Sequence, residues 1–197
     1  MESDVSSLTT PRESAMTALK RGTASCHRRL DRRLAGAHRF RDLGRYVEHL
    51  GRLAAFQAAA EASWRSVLST VLSDYPARRK AELLARDVQS LGGSPPPWPA
   101  VPEFSSSDAV LGGFYVLEGA SLGGQLLLTV VERELGLSAQ FGASYLASYG
   151  PAVREMWTKF GAEVDAHCRG ALAIERAVAA AQAVFCALED CLCGESA

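Results

Sequence analysis

Apolar side chains recur at steps of three and four residues along most of the chain, and this spacing predicts amphipathic α-helices. The first helix follows the segment TPRE at residues 10–13, a capping-box pattern with proline at the first helical position, and ends near Gly36. A second long helix begins at about Asp42. A third covers about residues 76–91 and stops at Gly92 and Gly93.

The second half of the chain shows the same helical spacing between turn-forming segments. A proline-rich connection covers residues 92–106, and a mostly apolar helical segment with internal glycines follows over 107–136. A glycine-containing loop at 137–150 leads to two last helices, at about 151–167 and Ala171–Cys193. No alternating strand pattern and no βαβ unit occur, so the predicted fold class is all-α, a single-domain helical bundle.

Size and composition favour one domain in a reducing compartment. Residues 1–10 are expected to form a flexible N-terminal tail and residues 11–193 the domain. A net charge of −1 argues against nucleic-acid binding, which needs a strongly basic surface. The chain has no run of about 18 apolar residues and no secretory signal pattern, so no membrane span is predicted. Five cysteines, an odd number, favour a cytoplasmic protein, and we expect a monomer.

Charge is distributed unevenly along the chain. The first 90 residues carry 16 Lys and Arg against 10 Asp and Glu, whereas the remainder carries 5 against 12. Such a basic excess is either a solvated helix face or a docking surface for an acidic partner. It is concentrated in one run of arginines: Arg28, Arg29, Arg32, Arg33, Arg39, Arg41 and Arg45.

The glycines inside the apolar segment at 107–136 need an explanation, because each internal glycine costs a helix about 1 kcal/mol relative to alanine. One interpretation is that a ligand approaches the bare backbone between Gly119 and Gly124. The other is a tight crossing of two helices, since Gly119 and Gly123 share a helix face. No Gly-Lys-Ser/Thr follows and no strand precedes, which excludes a phosphate-binding loop.

Among the histidines, His27 stands apart. Helical spacing places Lys20, Thr23 and His27 along one edge of the apolar stripe of the first helix, with Lys20 about 10.5 Å from His27 along the axis. A partly buried histidine without a ligand is the alternative interpretation. His38 and His49 are expected at the surface.

Three segments together resemble a known family. They are LKRGTASCHRRLD around His27, FYVLEGASLGGQ in the apolar segment and GASYLASYG in the following loop. They resemble the bacterial biliverdin-producing heme oxygenases, especially those encoded with bacteriophytochromes, over residues 14–193. The Leu-Gly-Gly-Gln that ends at Gln125 is the most specific match. The resemblance implies an all-α fold that holds heme between a proximal helix and a glycine-kinked distal helix.

The resemblance also assigns roles to individual residues. It implies that His27 is the proximal iron ligand and that residues 108–135 form the distal helix. It implies that three glycines of the distal helix face the heme at the catalytic position, namely Gly119, Gly123 and Gly124. The other residues implied to contact heme are Lys20, Tyr115 and Arg154 at the propionates and Phe185 at the ring edge.

The activity implied by the resemblance is that of a heme oxygenase. Heme b would be substrate and cofactor together, and O₂ with electrons from an external donor would convert it to biliverdin, carbon monoxide and ferrous iron. A reduced ferredoxin or flavodoxin-like acidic protein is the implied donor, and the arginine-rich segment beside His27 suits its docking. A bacteriophytochrome is the implied type of biliverdin acceptor.

One position departs from the family pattern. Many heme oxygenases carry an aspartate in the distal helix that orders the pocket water, although a bacterial subgroup lacks it. This chain has Ala120 at that position, and the neighbouring acid, Glu118, lies two residues away. The alternative is therefore a non-catalytic heme-binding carrier or sensor on the same fold. A further alternative is an interaction module that binds no heme.

Cysteines near the C-terminus leave a separate alternative open, a zinc site or a redox sensor. Their spacing lacks paired Cys-x-x-Cys motifs, so buried or tail thiols are the favoured interpretation. The residues concerned are His167, Cys168, Cys186, Cys191 and Cys193.

Overall fold

The computed structural model describes residues 13–35 and 39–194, and within these ranges it contains helices and no β-strand beyond two isolated bridges at Ser138. The all-α prediction is therefore confirmed. The helices are α1 (Ala15–Ala35), α2 (Leu43–Val71), α3 (Tyr75–Arg78), α4 (Ala81–Ser90), α5 (Ser107–Leu135), α6 (Ser144–Ala147), α7 (Val153–His167) and α8 (Ala171–Cys193), with a 3₁₀ turn at Gly150–Ala152.

Side-chain caps set the beginnings of the two long N-terminal helices. The hydroxyl of Ser14 accepts a hydrogen bond from the Thr17 N–H at 3.2 Å, and α1 begins at the next residue, Ala15. Residues 10–12 of the predicted capping box lie outside the described residues. The predicted tail and the predicted helix end near Gly36 lie outside the described residues. Asp42 caps α2 as expected, because its carboxylate accepts from the Arg45 N–H at 2.8 Å.

The single helix predicted over residues 76–91 is wrong near its beginning, because the chain is broken at residues 79–80 into α3 and α4. Glu61, on α2, is the cause. Its carboxylate accepts hydrogen bonds from the backbone N–H groups of Lys80 at 2.6 Å and Ala81 at 3.0 Å. These N–H groups start a new helix, so the acid supplies a cap from a distant element.

A second cap from a distant residue stabilises the short helix α6, which lies inside the segment that the sequence predicts as a loop. Asp87, on α4, accepts hydrogen bonds from the Ser144 N–H at 3.0 Å and from the Tyr145 N–H at 2.8 Å. The Tyr46 hydroxyl donates to the Gly142 carbonyl at 3.0 Å. These contacts fix the segment before and after Gly142 against α2 and α4.

The centre of the fold is formed by α5 and α8, which pack along each other. Gly112 lies where they cross, and a Cβ there would collide with the backbone of Ala177. By length and composition alone both helices could also cross a membrane. Their apolar side chains contribute to the hydrophobic core, which includes Leu111 and Val184.

Helix α1 runs parallel to α8. The Gln182 side chain donates to the Gly22 carbonyl at 2.8 Å near the middle of the pair, and Arg33 donates to the Cys193 carbonyl at 3.1 Å near its C-terminal end. Both helices therefore advance in the same direction, and their C-terminal ends lie together.

Candidate functional site

A cavity of about 500 Å³ lies between α1 and α5, with further walls from α2, α6, α7 and α8. Its size is within the range of small-molecule sites. Most of its lining side chains are apolar, and histidine, tyrosine and aspartate side chains supply polar atoms. A large, mainly apolar molecule with a few polar groups fits such a site best.

His27 lies on the α1 wall of this cavity. Its Nδ1 is 2.8 Å from a carboxylate oxygen of Asp31, one turn later on the same helix. Because a carboxylate only accepts hydrogen bonds, this contact selects the neutral tautomer with the proton on Nδ1 and the lone pair on Nε2. The ring also packs edge-on against Phe185, with centroids 5.9 Å apart. The geometry holds an imidazole with a free nitrogen at the cavity, the arrangement used by metal-binding histidines.

The α5 wall contains glycines, at Gly119 and Gly123, that present no side chain to the cavity. A Cβ at Gly123 would meet no neighbouring atom within 4 Å, and a Cβ at Gly119 would meet only the Trp157 ring, at 3.7 Å. Ala120 also lines the cavity. Helix α5 continues through all of these residues. Its glycines therefore keep space free beside the helix backbone.

Gly124 differs from the other two glycines predicted to face the ligand. It borders the cavity, but a Cβ on it would lie 2.8 Å from the carbonyl oxygen of Leu146. The adjacent Gln125 side chain donates to the Ala147 carbonyl at 2.7 Å. Gly124 thus permits the close approach of α5 and α6, whereas the sequence predicts such a crossing at Gly119 and Gly123.

Of the other residues predicted to contact the ligand, Tyr115 and Phe185 line the cavity, whereas Lys20 and Arg154 are exposed and do not line it. Tyr115 packs against Trp157, with ring centroids 5.4 Å apart. Trp157 is a lining residue that the sequence analysis did not identify, although it lies one turn after Arg154.

Glu118 points away from the cavity into a buried polar cluster. Its carboxylate accepts from Lys80 Nζ at 2.6 Å, from Arg78 at 2.8 Å and from the Tyr149 hydroxyl at 2.7 Å. Asp74 holds the same guanidinium through two hydrogen bonds of 2.7 Å. Burial lowers the pKa of Lys80 below its ordinary value, and Glu118 opposes this shift. The acid nearest to Ala120 is thus committed to structural contacts.

His49 is buried, so its predicted surface position is wrong. Only 5% of the residue is exposed; it lines the cavity, and its Nδ1 has no hydrogen-bond partner within the described part of the chain. Burial, together with the charges of Arg39 and Arg52, lowers the pKa of His49 to about 3. The spacing to Tyr46 and Leu53 places position 49 on the apolar stripe of α2, a signal that the sequence contained.

The zinc alternative gains no support from the described residues, which contain no group of three His, Cys, Asp or Glu able to hold a metal ion. Cys168 is buried, and burial raises the pKa of its thiol to about 12. Cys186 is exposed on α8, and its Sγ lies 3.6 Å from a nitrogen of the Arg29 guanidinium.

Comparison with known proteins identifies the family of this chain. The family model described as heme oxygenase matches residues 13–192. A heme oxygenase of Xanthomonas campestris pv. campestris (strain 8004) is 33% identical over 132 residues, which cover 66% of this chain and 77% of the relative.

Two solved structures share the fold. A heme oxygenase from Neisseria meningitidis, solved with NO and CO bound, aligns with a TM-score of 0.82 at 19% identity, over 92% of this chain and 91% of its own. The heme oxygenase from Leptospira interrogans gives 0.76 at 18% identity, over 92% and 99%. Since the family model spans nearly the whole described chain, the protein belongs to the heme oxygenase family and is a heme-degrading enzyme.

Proposed function

We propose that heme binds in the cavity between α1 and α5 with Nε2 of His27 as its iron ligand, and that O₂ and external electrons cleave it to biliverdin, carbon monoxide and ferrous iron. Bound heme supplies the oxidation chemistry, and the protein supplies position and access. One observation carries the proposal: an oriented imidazole on α1 and the bare backbone at Gly119 and Gly123 on α5 line the same cavity.

Each wall has a separate task. Asp31 keeps Nδ1 of His27 protonated, so the lone pair of Nε2 is available to a metal, and Phe185 limits rotation of the ring. On the other wall, Gly119 and Gly123 leave room for a flat ligand and for a diatomic molecule beside the backbone. Side chains at these positions would occupy that room.

Protons must reach this site without a carboxyl group from the middle of α5. Ala120 has no acidic group, and Glu118 is held by Lys80 and Arg78 behind the helix. We infer that water in the cavity delivers protons. Alanine at position 120, where many heme oxygenases carry an aspartate, also favours the second candidate function, a heme carrier or sensor.

We further propose that Lys20, Tyr115 and Arg154 meet the heme carboxylates. Tyr115 lines the cavity beside Trp157, and Lys20 lies on α1 two turns before His27. Both positions support a carboxylate end of the site near α7. Arg154, exposed one turn before Trp157, would reach it only from outside the cavity wall.

The electron donor is proposed to be a ferredoxin or flavodoxin-like protein that docks beside His27. Arg28 and Arg32 are exposed on α1, whereas Arg29 and Arg33 pair with Glu189 at 2.6 and 2.9 Å. The first two therefore present their charge outward to an acidic partner.

Charge reversal at Arg28 and Arg32 should slow turnover supported by such a donor and leave ascorbate-supported turnover unchanged. Arg65→Glu, an exposed arginine on α2, is the matched control. Equal loss with both reductants would contradict the docking proposal.

Two finer proposals concern the setting of the enzyme. All five cysteines are free thiols, which favours a reducing compartment such as the cytoplasm. A biliverdin acceptor such as a bacteriophytochrome is supported only by the resemblance of the sequence motifs.

Hemin titration followed by reductant and air tests the function. The enzyme should give an iron-coordinated absorption band that decays into a biliverdin spectrum, and His27→Ala should lose the coordinated band. A band that persists in air without biliverdin would indicate the carrier or sensor. No coordinated band with the native chain would refute heme binding in this cavity.

A further inference from the structure

The cavity extends well beyond His27 toward the C-terminal ends of α1 and α8. Leu34 lines it seven residues after His27, roughly 10 Å further along α1. Lys20 lies seven residues before His27, in the opposite direction. We call the far part of the cavity the inner end; it is lined by Leu34, Phe40, His49, Leu53 and Leu192.

His49 is the one polar side chain among these five, and its bonding capacity is unused. Its Nδ1 is buried and without a partner in the described residues, and the Phe40 ring packs against it at 5.2 Å between centroids. Buried polar atoms are almost always hydrogen-bonded, so an unpaired imidazole nitrogen at a cavity wall indicates a ligand group that completes it.

The charges around His49 keep it neutral. Arg39 and Arg52 both disfavour its protonation, and both donate to carbonyls at the end of α8, to Leu192 at 2.6 Å and to Gly194 at 2.8 Å respectively. Arg52 also pairs with Glu48 at 2.7 Å. A neutral imidazole offers one N–H donor and one lone pair, so it can bond to either a carbonyl or an N–H.

Heme itself does not satisfy this nitrogen when its carboxylates lie toward Lys20. The opposite edge of the ring then occupies the inner end, and that edge carries only hydrocarbon substituents. Cleavage changes this edge. The bridging carbon leaves as carbon monoxide, and each of the two ring carbons that it joined keeps an oxygen, so two lactam groups appear, each with a C=O and an N–H.

We propose that His49 is a product-recognition residue whose Nδ1 hydrogen-bonds to a terminal lactam of biliverdin at the inner end of the cavity. The proposal rests on the proposed function and on the carboxylate end near Lys20. It requires cleavage at the bridging carbon farthest from the carboxylates, because only that opening places lactams beside His49.

Equilibrium binding of biliverdin and of hemin, measured separately, tests the proposal. His49→Leu should weaken biliverdin binding about five- to tenfold, the effect of one lost hydrogen bond, and change hemin affinity less than about twofold. His49→Asn keeps an amide near the position of Nδ1 and should restore biliverdin affinity. Phe40→Leu alters the same wall without a polar change and is the matched control.

Two outcomes would overturn the assignment. If His49→Leu weakens hemin and biliverdin equally, the imidazole meets a heme carboxylate and the ring lies the other way round. If neither affinity changes, Nδ1 of His49 bonds to water and not to a ligand. Loss of the proposed function would appear elsewhere, as absence of an iron-coordinated hemin band in the native chain, so the two failures are distinguishable.

Discussion

On the cavity face of α5, Gly119 and Gly123 leave free space where side chains would stand, whereas on the rear face Glu118 is enclosed by Lys80 and Arg78. Internal glycines weaken a helix by about 1 kcal/mol each, so α5 cannot rely on its own propensity at this point. The cavity face of α5, which lacks side chains at two positions, therefore depends on the contacts of the rear face for its stability. Ion pairs behind the helix hold the bare backbone in place above the cavity.

Glycine has a different role elsewhere on the same helix. At Gly112 and Gly124 a Cβ would collide with the backbones of Ala177 and Leu146. These two glycines permit close helix packing, whereas Gly123 keeps a cavity open. The helix crossings therefore lie at Gly112 and Gly124 rather than at Gly119 and Gly123, where the approach of a ligand stays a prediction.

The largest expected effect comes from breaking the rear face. Glu118→Leu should lower the free energy of unfolding by about 3–5 kcal/mol, because it leaves Lys80 and Arg78 buried without their shared partner. Urea unfolding measures the loss, with Glu132→Leu, an exposed acid on the same helix, as the control. A loss below about 1 kcal/mol would contradict the role given to this cluster.

A pair of alanine substitutions separates packing glycines from cavity glycines. Gly124→Ala should cost about 1–3 kcal/mol of stability through its contact with the Leu146 carbonyl. Gly123→Ala should instead stabilise the heme-free protein by up to about 1 kcal/mol and weaken hemin binding. Thermal unfolding and hemin titration of both variants provide the measurement. The distinction fails if the two variants behave alike.

The smallest expected effect is a loss of stability at low pH, through the ion pair of Asp74 with Arg78. Hydrogen bonds from Arg78 hold the pKa of Asp74 below its ordinary value. This stabilisation is present above the unfolded pKa of about 3.9 and is lost as pH falls through the lower folded pKa. Asp74→Asn should cost under about 1 kcal/mol at pH 7, since Asp74 is partly exposed, and should flatten the dependence of stability on pH below about pH 4. Unfolding midpoints of the native chain and of Asp74→Asn at pH 7 and pH 3 provide the measurement. If the prediction is wrong, both proteins lose the same stability between the two pH values.

Local pattern predicted the long helices because apolar spacing and nearby caps such as Asp42 act within one turn. It missed the break before α4 and the helix α6, because their caps, Glu61 and Asp87, come from residues 19 and 57 positions away from the N–H groups that they bind. A cap delivered through the tertiary fold leaves no local signal.

The site divides in the same way. The predicted roles of His27 and Gly123 rested on helical spacing and motif, and the structure brings both to one cavity. The predicted surface position of His49 is wrong because residue 49 shares the apolar stripe of α2 with Tyr46, and this position buries a side chain of any type. The direction of Glu118 depended on Lys80, whose approach no local pattern predicts.

The guanidinium groups of Arg39 and Arg52 grip carbonyl oxygens in the closing turn of α8, oxygens that a helix end ordinarily leaves to water. The closing turn thereby places Leu192 in the wall of the cavity. Shortening the protein before this turn would remove that part of the wall together with the carbonyl partners of both guanidinium groups.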